Sequence, residues 1–237
     1  MSALPAANPR SAASQSNETS RAHPWLPTVA LLLLTLLAFA PALRGGWIWD
    51  DDAYVTDNAQ LESWAGLGHI WFTPGATPQY YPLVFTTFWV ERRVFGLHPL
   101  PFHLTNVLLQ AGAALFFWLA LRRLRVRGAW LGAALFAIHP VQVESVAWVT
   151  ERKNVLGGLF LFASTFAWVR ARPPEGEGGD SPRLGWTSLL LFACTLLSKT
   201  VTAALPVGLF LLSWWKRPRR WRQDLMALLP FFALGVA

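Results

Sequence analysis

The chain has 237 residues, of which 54% are hydrophobic and only 14% are charged. Soluble domains carry about 25% charged residues, so this composition excludes an ordinary water-soluble protein. The formal net charge is +7, but the basic residues stand in short clusters between apolar runs. That pattern is typical of membrane topology, and we expect contact with a lipid bilayer and no nucleic-acid partner.

The first 24 residues are rich in Ser, Ala, Pro and Asn, which predicts a disordered tail. The uncharged run 25–43 has about the 20-residue length that crosses a bilayer. Ala38-Phe39-Ala40 resembles a signal-peptidase site, so a cleaved signal peptide is the alternative to an anchor. We favour an uncleaved anchor because several further apolar runs follow.

Six more apolar runs lie at 103–121, 129–147, 155–169, 184–197, 201–215 and 225–237. Together the runs predict an all-α fold, a polytopic transmembrane bundle with about seven spans. The loop at 44–102 is too polar to lie in lipid throughout. Its second part, 81–95, is aromatic and amphipathic, and we expect it at the membrane interface.

The orientation follows from the Lys and Arg residues, most of which lie in the tail and in the segments 122–127, 170–183 and 216–222. The positive-inside rule then places the amino terminus in the cytoplasm and loop 44–102 outside. The last apolar run reaches residue 237, and we expect the domain at 25–237 to be the front of a longer protein.

Acidic residues beside the first span are the first candidates for chemistry. Asp50, Asp51 and Asp52 are adjacent, and their carboxylates repel each other unless solvent or cations compensate. One of them could act as a general base or hold a divalent cation. The alternative is a solvated acidic loop. No Cys/His spacing typical of a metal site is present, so we predict no metal ligands and leave metal dependence open.

A polar stripe crosses the second apolar run. His103, Asn106 and Gln110 share one helical face and should point into the bundle, because polar groups facing lipid are costly. The stripe could line a cavity, or it could join helices through hydrogen bonds.

A third polar group follows a predicted helix break at Pro140. If the next piece is helical, Glu144, Glu151 and Arg152 share a face. Together with Lys153 they could bind an anionic ligand, since guanidinium and ammonium groups suit phosphate. The alternative is an ion-paired turn. Lys199 is a further cation near the same predicted face.

Four ordered blocks, at 49–58, 79–110, 135–156 and 196–215, make the chain similar to a known family. It resembles the amino-terminal membrane region of the transmembrane-and-tetratricopeptide-repeat proteins, which include protein O-mannosyltransferases of the GT-C superfamily. In two places it departs from the family pattern: Gln110 stands where a His is frequent, and Asn154 where an Asp follows Arg-Lys.

The resemblance implies a function and roles. It implies transfer of a sugar from a polyprenyl-phosphate carrier to a Ser or Thr hydroxyl of a protein acceptor at the outer face. Asp50 would be the base and Asp51 its supporting partner, while Arg152, Lys153 and Lys199 would bind the donor phosphate. The implied cavity lining is Tyr81, His103, Asn106, His139, Glu144 and Glu151.

Two other classes of function compete with this one. The chain could be a non-catalytic membrane anchor for a repeat domain that binds partners. A transporter is a weaker alternative, because most charges sit at the ends of the runs and no paired halves are visible. For location, we expect a multi-pass protein of a bacterial inner membrane.

Overall fold

The computed structural model describes residues 25–236, and within this range the chain is helical with no strand. The predicted tail 1–24 and the final residue lie outside the described residues. The expectation of an all-α fold is confirmed. The helices are α1 Leu26–Ala38, α2 Trp64–Phe72, α3 Pro82–Phe95, α4 Pro99–Arg123, α5 Ala129–Ile138, α6 Gln142–Ala147, α7 Arg152–Ala171, α8 Pro182–Leu196, α9 Leu205–Lys216 and α10 Trp221–Val236.

Two stretches of the described chain are long and apolar enough to cross a membrane: Pro99–Arg123, and Val149–Ala171, which is α7 with the short turn before it. The other expected spans coincide with shorter helices, among which α1 and α5 are strongly apolar. Helix α4 begins at Pro99, where proline has the backbone angle of a first helical turn. It ends on Arg122 and Arg123, which favour a helix carboxyl end.

The apolar run 129–147 is not one helix. Helix α5 ends at Ile138, and α6 begins only at Gln142, because Pro140 supplies no backbone donor. The predicted break is therefore confirmed. A second break follows at Trp148, whose ψ of 121° is extended. The expectation that Glu144, Glu151 and Arg152 share one continuous helical face is therefore wrong.

Helix α4 lies at the centre of the bundle and packs against α1, α5 and α7, while α8 packs along α7. Small polar residues join α7 to α8: the Ser164 hydroxyl donates to the Ser188 carbonyl at 2.8 Å, and the Ser188 hydroxyl donates to the Ser164 carbonyl at 2.8 Å. Such bonds are a common means of joining helices where lipid removes the hydrophobic driving force. Helices α9 and α10 pack beside them around Trp168, Phe192 and Phe231.

Residues 44–98 form a cap over the end of the bundle where α4 and α7 begin. Aromatic side chains hold it there: Tyr54 stacks on Phe85 at 5.5 Å, and Phe85 meets Phe88 edge-on at 6.0 Å. Phe88 in turn lies 6.2 Å from Phe102 in the first turns of α4. The cap is therefore fixed to the bundle by a continuous aromatic core.

Within the cap, α2 rests on the turn at Ala59–Leu61 through a glycine. A Cβ placed on Gly66 would lie 2.2 Å from the carbonyl oxygen of Gln60, a backbone atom that cannot move independently. Gly66 also donates its backbone N–H to the capping hydroxyl of Ser63 at 3.0 Å. By contrast, a Cβ on Gly68 of the same helix would meet open space.

We expect Gly66→Ala to lower the free energy of unfolding by about 1–3 kcal/mol, because the added methyl group must push α2 away from the turn. Gly68→Ala is the matched control and should be neutral or slightly stabilising, since Ala is the better helix former. Thermal unfolding in detergent measures both. Equal unfolding temperatures for the two variants would show that α2 is not seated as described.

Candidate active site at the start of α4 and α7

Asp51 is fully buried and joins the cap to the turn before α7. One carboxylate oxygen accepts from the Thr150 backbone N–H at 2.9 Å and from its hydroxyl at 2.6 Å. The other oxygen accepts from the Ile48 backbone N–H at 3.0 Å. With both oxygens engaged by donors, the carboxylate is held in one position.

Asp50 and Asp52 flank this fixed residue and are both exposed. Asp52 accepts from the Ala53 backbone N–H at 2.7 Å. Asp50 acts on Tyr54, one helical turn later: burial, together with the negative charges of Asp50 and Glu151, raises the pKa of the Tyr54 phenol to about 12. Tyr54 therefore keeps its proton at neutral pH and can donate a hydrogen bond beside Asp50.

Arg152, which was expected at the donor phosphate, is fully buried and bonded to protein groups. Its guanidinium donates to Asn106 at 2.8 Å, to Thr87 at 3.1 Å and to the Phe102 carbonyl at 2.8 Å. It also forms an ion pair with Glu91 of α3. With these donors occupied, Arg152 positions helices in the structure described and has no open side for a ligand.

Lys153, the next residue, has a different environment. Its ammonium group lies 2.8 Å from a Glu151 oxygen and 5.6 Å from the centre of the Tyr54 ring. The other Glu151 oxygen accepts from the Asn154 amide, and the Asn154 oxygen accepts from Lys199. A continuous polar row therefore connects Lys153 to Lys199 through a carboxylate and an amide, and both lysine side chains are partly accessible.

The polar stripe of α4 joins elements, as the hydrogen-bonding alternative predicted. Asn106 donates to the Trp148 carbonyl at 3.1 Å, which satisfies the backbone where α6 ends. Gln110 donates to the Ala137 carbonyl at 3.3 Å at the end of α5. His103 is buried against Gly45, and neither ring nitrogen has a hydrogen-bond partner among residues 25–236.

The remaining candidates divide by exposure. Tyr81 is half-buried in the core beside Tyr54, with which it interacts electrostatically. His139 is exposed and accepts from the Val141 backbone N–H at 3.2 Å, which caps the break after α5. Glu144 is exposed on α6. The structure therefore places Glu151 in the polar row and Tyr81 in the core beside Tyr54, and it leaves His139 and Glu144 on the surface of the α5–α6 break.

Three contributing residues were not predicted. Glu91 is the one carboxylate of the aromatic helix α3, and because Arg92 and Arg93 follow it directly, the local sequence does not reveal its distant cation partner. Thr150 gives no such signal. Asn154 was noted only as a departure from the family, yet its amide can donate to Glu151 and accept from Lys199 at once, which a carboxylate could not do.

The described residues contain no cluster of His, Cys, Asp or Glu that could hold a metal ion. What they do contain is an exposed carboxylate next to a buried one, a protonated tyrosine and two lysines, all at one end of the two membrane-length helices. The fold and the site thus define a helical protein with membrane-length segments and a charged site at their ends.

Comparison with known proteins gives the relatives of this chain. Protein O-mannosyl-transferase TMTC4 of Homo sapiens is 29% identical over 184 residues, which are 67% of this chain and 25% of the human protein. Protein O-mannosyl-transferase TMTC3 of Mus musculus is 27% identical over 156 residues, 62% of this chain and 16% of the mouse protein. Protein O-mannosyl-transferase Tmtc3 of Drosophila melanogaster is 24% identical over 222 residues, which are 80% of this chain and 23% of the fly protein.

These similarities confirm the resemblance to the transmembrane-and-tetratricopeptide-repeat proteins. The aligned region spans about a quarter of the length of the first curated relatives. No family model matches the chain, and no solved structure does. The relatives named above come from animals, so they give no support to the expected bacterial inner membrane.

We expect Glu91→Ala to lower the free energy of unfolding by about 3–5 kcal/mol, because it leaves the buried Arg152 charge without its carboxylate. The matched control is Glu62→Ala. The Glu62 side chain is 60% exposed and pairs with Arg92, which lies next to Glu91 on α3, so its loss should cost under about 1 kcal/mol. Thermal and denaturant unfolding in detergent measure both.

Combining Glu91→Leu with Arg152→Met removes both buried charges and should recover much of the loss that either single variant shows. If the double variant loses the full sum of the two single losses, the ion pair does not have the role described here.

Proposed function

We propose that this chain forms the donor and acceptor site of a glycosyltransferase of the O-mannosyltransferase type. The observation that carries the proposal is the polar row Lys153–Glu151–Asn154–Lys199 next to Tyr54 and Asp50. It places two cations and an exposed carboxylate within one site, which is what transfer from a lipid phosphate to a hydroxyl requires. The names of the relatives, protein O-mannosyl-transferases, suggest mannose as the sugar.

In the proposed reaction, Asp50 accepts the proton of a Ser or Thr hydroxyl on the acceptor protein. The hydroxyl oxygen then forms a bond to the anomeric carbon of the sugar. The bond between that carbon and the phosphate oxygen breaks, and polyprenyl phosphate leaves with the electron pair. The roles of the two neighbouring acids differ because Asp50 is exposed, whereas both oxygens of Asp51 are already hydrogen-bonded.

Lys153 and Lys199 are the proposed phosphate ligands. Lys153 is paired with the Glu151 carboxylate, and Lys199 donates to the neutral Asn154 oxygen, so an incoming phosphate would replace Glu151 at Lys153 and the Asn154 oxygen at Lys199. Phosphate carries more charge than an amide and more acceptor oxygens than a single carboxylate contact, which favours the exchange. Arg152 serves this site as a positioning residue, because it holds α3, α4 and the turn before α7 together.

The proposal also includes a topology. We place the site at the outer membrane face and the amino terminus in the cytoplasm, because basic residues cluster at the opposite ends of α4, α7 and α9. The shorter helices α1, α5, α8, α9 and α10 would complete about seven spans of a GT-C-type bundle by tilting or by local thinning of the bilayer.

We expect Asp50→Asn to lower the rate of mannose transfer at least about 100-fold, because general-base catalysis of this kind contributes about 10²–10⁴. Asp52→Asn, at the other exposed acid of the triplet, is the matched control and should transfer at nearly the native rate. The assay follows labelled mannose from polyprenyl-phosphate mannose to a serine- and threonine-containing peptide in proteoliposomes. Unchanged transfer by Asp50→Asn would refute the base assignment.

A binding measurement separates the enzyme from the anchor alternative without turnover. We expect Lys153→Gln combined with Lys199→Gln to weaken binding of polyprenyl-phosphate mannose on the order of 100-fold, since two hydrogen bonds from charged donors are lost. Lys216→Gln, at the far end of α9, is the control and should bind normally. A native protein that does not bind the donor would favour the anchor.

A further inference from the structure

A second charged site lies at the other end of the bundle, where α4 and α7 finish. A cavity of about 600 Å³ opens there between the two helices and α8. Four arginines line it: Arg122, Arg123, Arg125 and Arg170. Its remaining walls are apolar, with Phe166 and Leu184 among them. A basic cavity with apolar walls between membrane-length helices is suited to an anionic group that is attached to a hydrocarbon chain.

The four arginines are not equally compensated by the protein. Glu177 pairs with Arg123 at 3.5 Å and with Arg125 at 3.0 Å. Arg122 and Arg170 rest instead over the rings of Trp118 and Phe166, at 5.3 and 5.6 Å. Among residues 25–236, neither of these two forms an ion pair. The cavity therefore presents positive charge that the described protein does not neutralise.

An apolar groove continues from this cavity along the bundle. It has a volume of about 330 Å³ and runs between α4, α7 and α8, lined by Phe116, Phe160 and Leu191 among other residues. Phe166, Arg170 and Leu184 line both spaces, so the groove and the cavity are continuous. The groove lies on the faces of helices long enough to cross a bilayer, where an acyl chain would be found.

We propose that this cavity and groove bind one anionic phospholipid, with its phosphate at Arg122 and Arg170 and an acyl chain in the groove. A free phosphate or an acidic peptide would use the arginines but not the groove, which is why the observations favour a lipid. The site lies far from the polar row: on α7, Lys153 of the row and Arg170 of the cavity are 17 residues apart, which is about 25 Å of helix. Binding of a lipid at this site does not depend on the proposed transfer reaction.

The test is native mass spectrometry of the full chain, titrated with phosphatidylglycerol and, separately, with phosphatidylcholine carrying the same acyl chains. We expect phosphatidylglycerol to be retained at least tenfold more strongly. Arg122→Gln combined with Arg170→Gln should reduce this affinity on the order of 30-fold, from the loss of two charges near a lipid surface. Both arginines are exposed, so the variant should fold.

Arg127→Gln combined with Arg222→Gln is the matched control, because it removes two exposed charges outside the cavity. This control should bind phosphatidylglycerol like the native chain. A Thr187→Trp variant tests the groove, since Thr187 is exposed on its rim and a large ring there should weaken retention of the lipid.

Three results would overturn the proposal. The first is equal retention of the two lipids, and the second is unchanged retention of phosphatidylglycerol by the Arg122 and Arg170 double variant. The third is complete displacement of the lipid by millimolar glycerol phosphate with no effect of Thr187→Trp, which would mean that the arginines bind phosphate alone.

Discussion

The positive charge of Arg152 lies wholly inside the protein, and the arrangement of the cap on the bundle depends on it. An unpaired buried guanidinium would cost several kcal/mol, so the fold must bring acceptors to it. Those acceptors come from separate elements: Glu91 belongs to α3, and Asn106 to α4. The cap can dock in this position only when both are in place. A charge that was expected to meet substrate instead fixes the geometry around the proposed substrate site.

The burial of Arg152 also determines what its neighbour can do. Successive residues of an α-helix point about 100° apart, so a helix that turns Arg152 into the bundle turns Lys153 away from it. Lys153 reaches Glu151 and the Tyr54 ring at the edge of the cap. Arg152 of the Arg-Lys pair therefore has a structural role, and Lys153 is left accessible for the proposed ligand. The same division separates Asp51, held by Thr150, from exposed Asp50.

The sequence predicted those features that depend on neighbouring residues. Pro140 breaks its helix for a local reason, and the period of the α4 stripe correctly turned Asn106 and Gln110 inward. The burial of Arg152 could not be predicted in this way, because its carboxylate partner lies 61 residues away on another helix. The break at Trp148 could not be predicted either, because no glycine or proline stands there in the sequence. There the Asn106 side chain donates a hydrogen bond to the Trp148 carbonyl and so satisfies the backbone.

The two ends of α4 and α7 differ in how completely their charged side chains are paired within the protein. At their starts, buried charge is matched by groups from distant parts of the chain. At their ends, the buried Asp224 and Arg217 are matched in the same way, together with Asp180 and Arg172, but Arg122 and Arg170 of the cavity form no ion pair among residues 25–236. Because the Debye length is about 8 Å at physiological salt, exposed charges at the two ends do not influence each other directly. A lipid at the arginine end could therefore act on the polar row only by changing how α4, α7 and α8 pack, and the reciprocal Ser164–Ser188 bonds oppose such a shift.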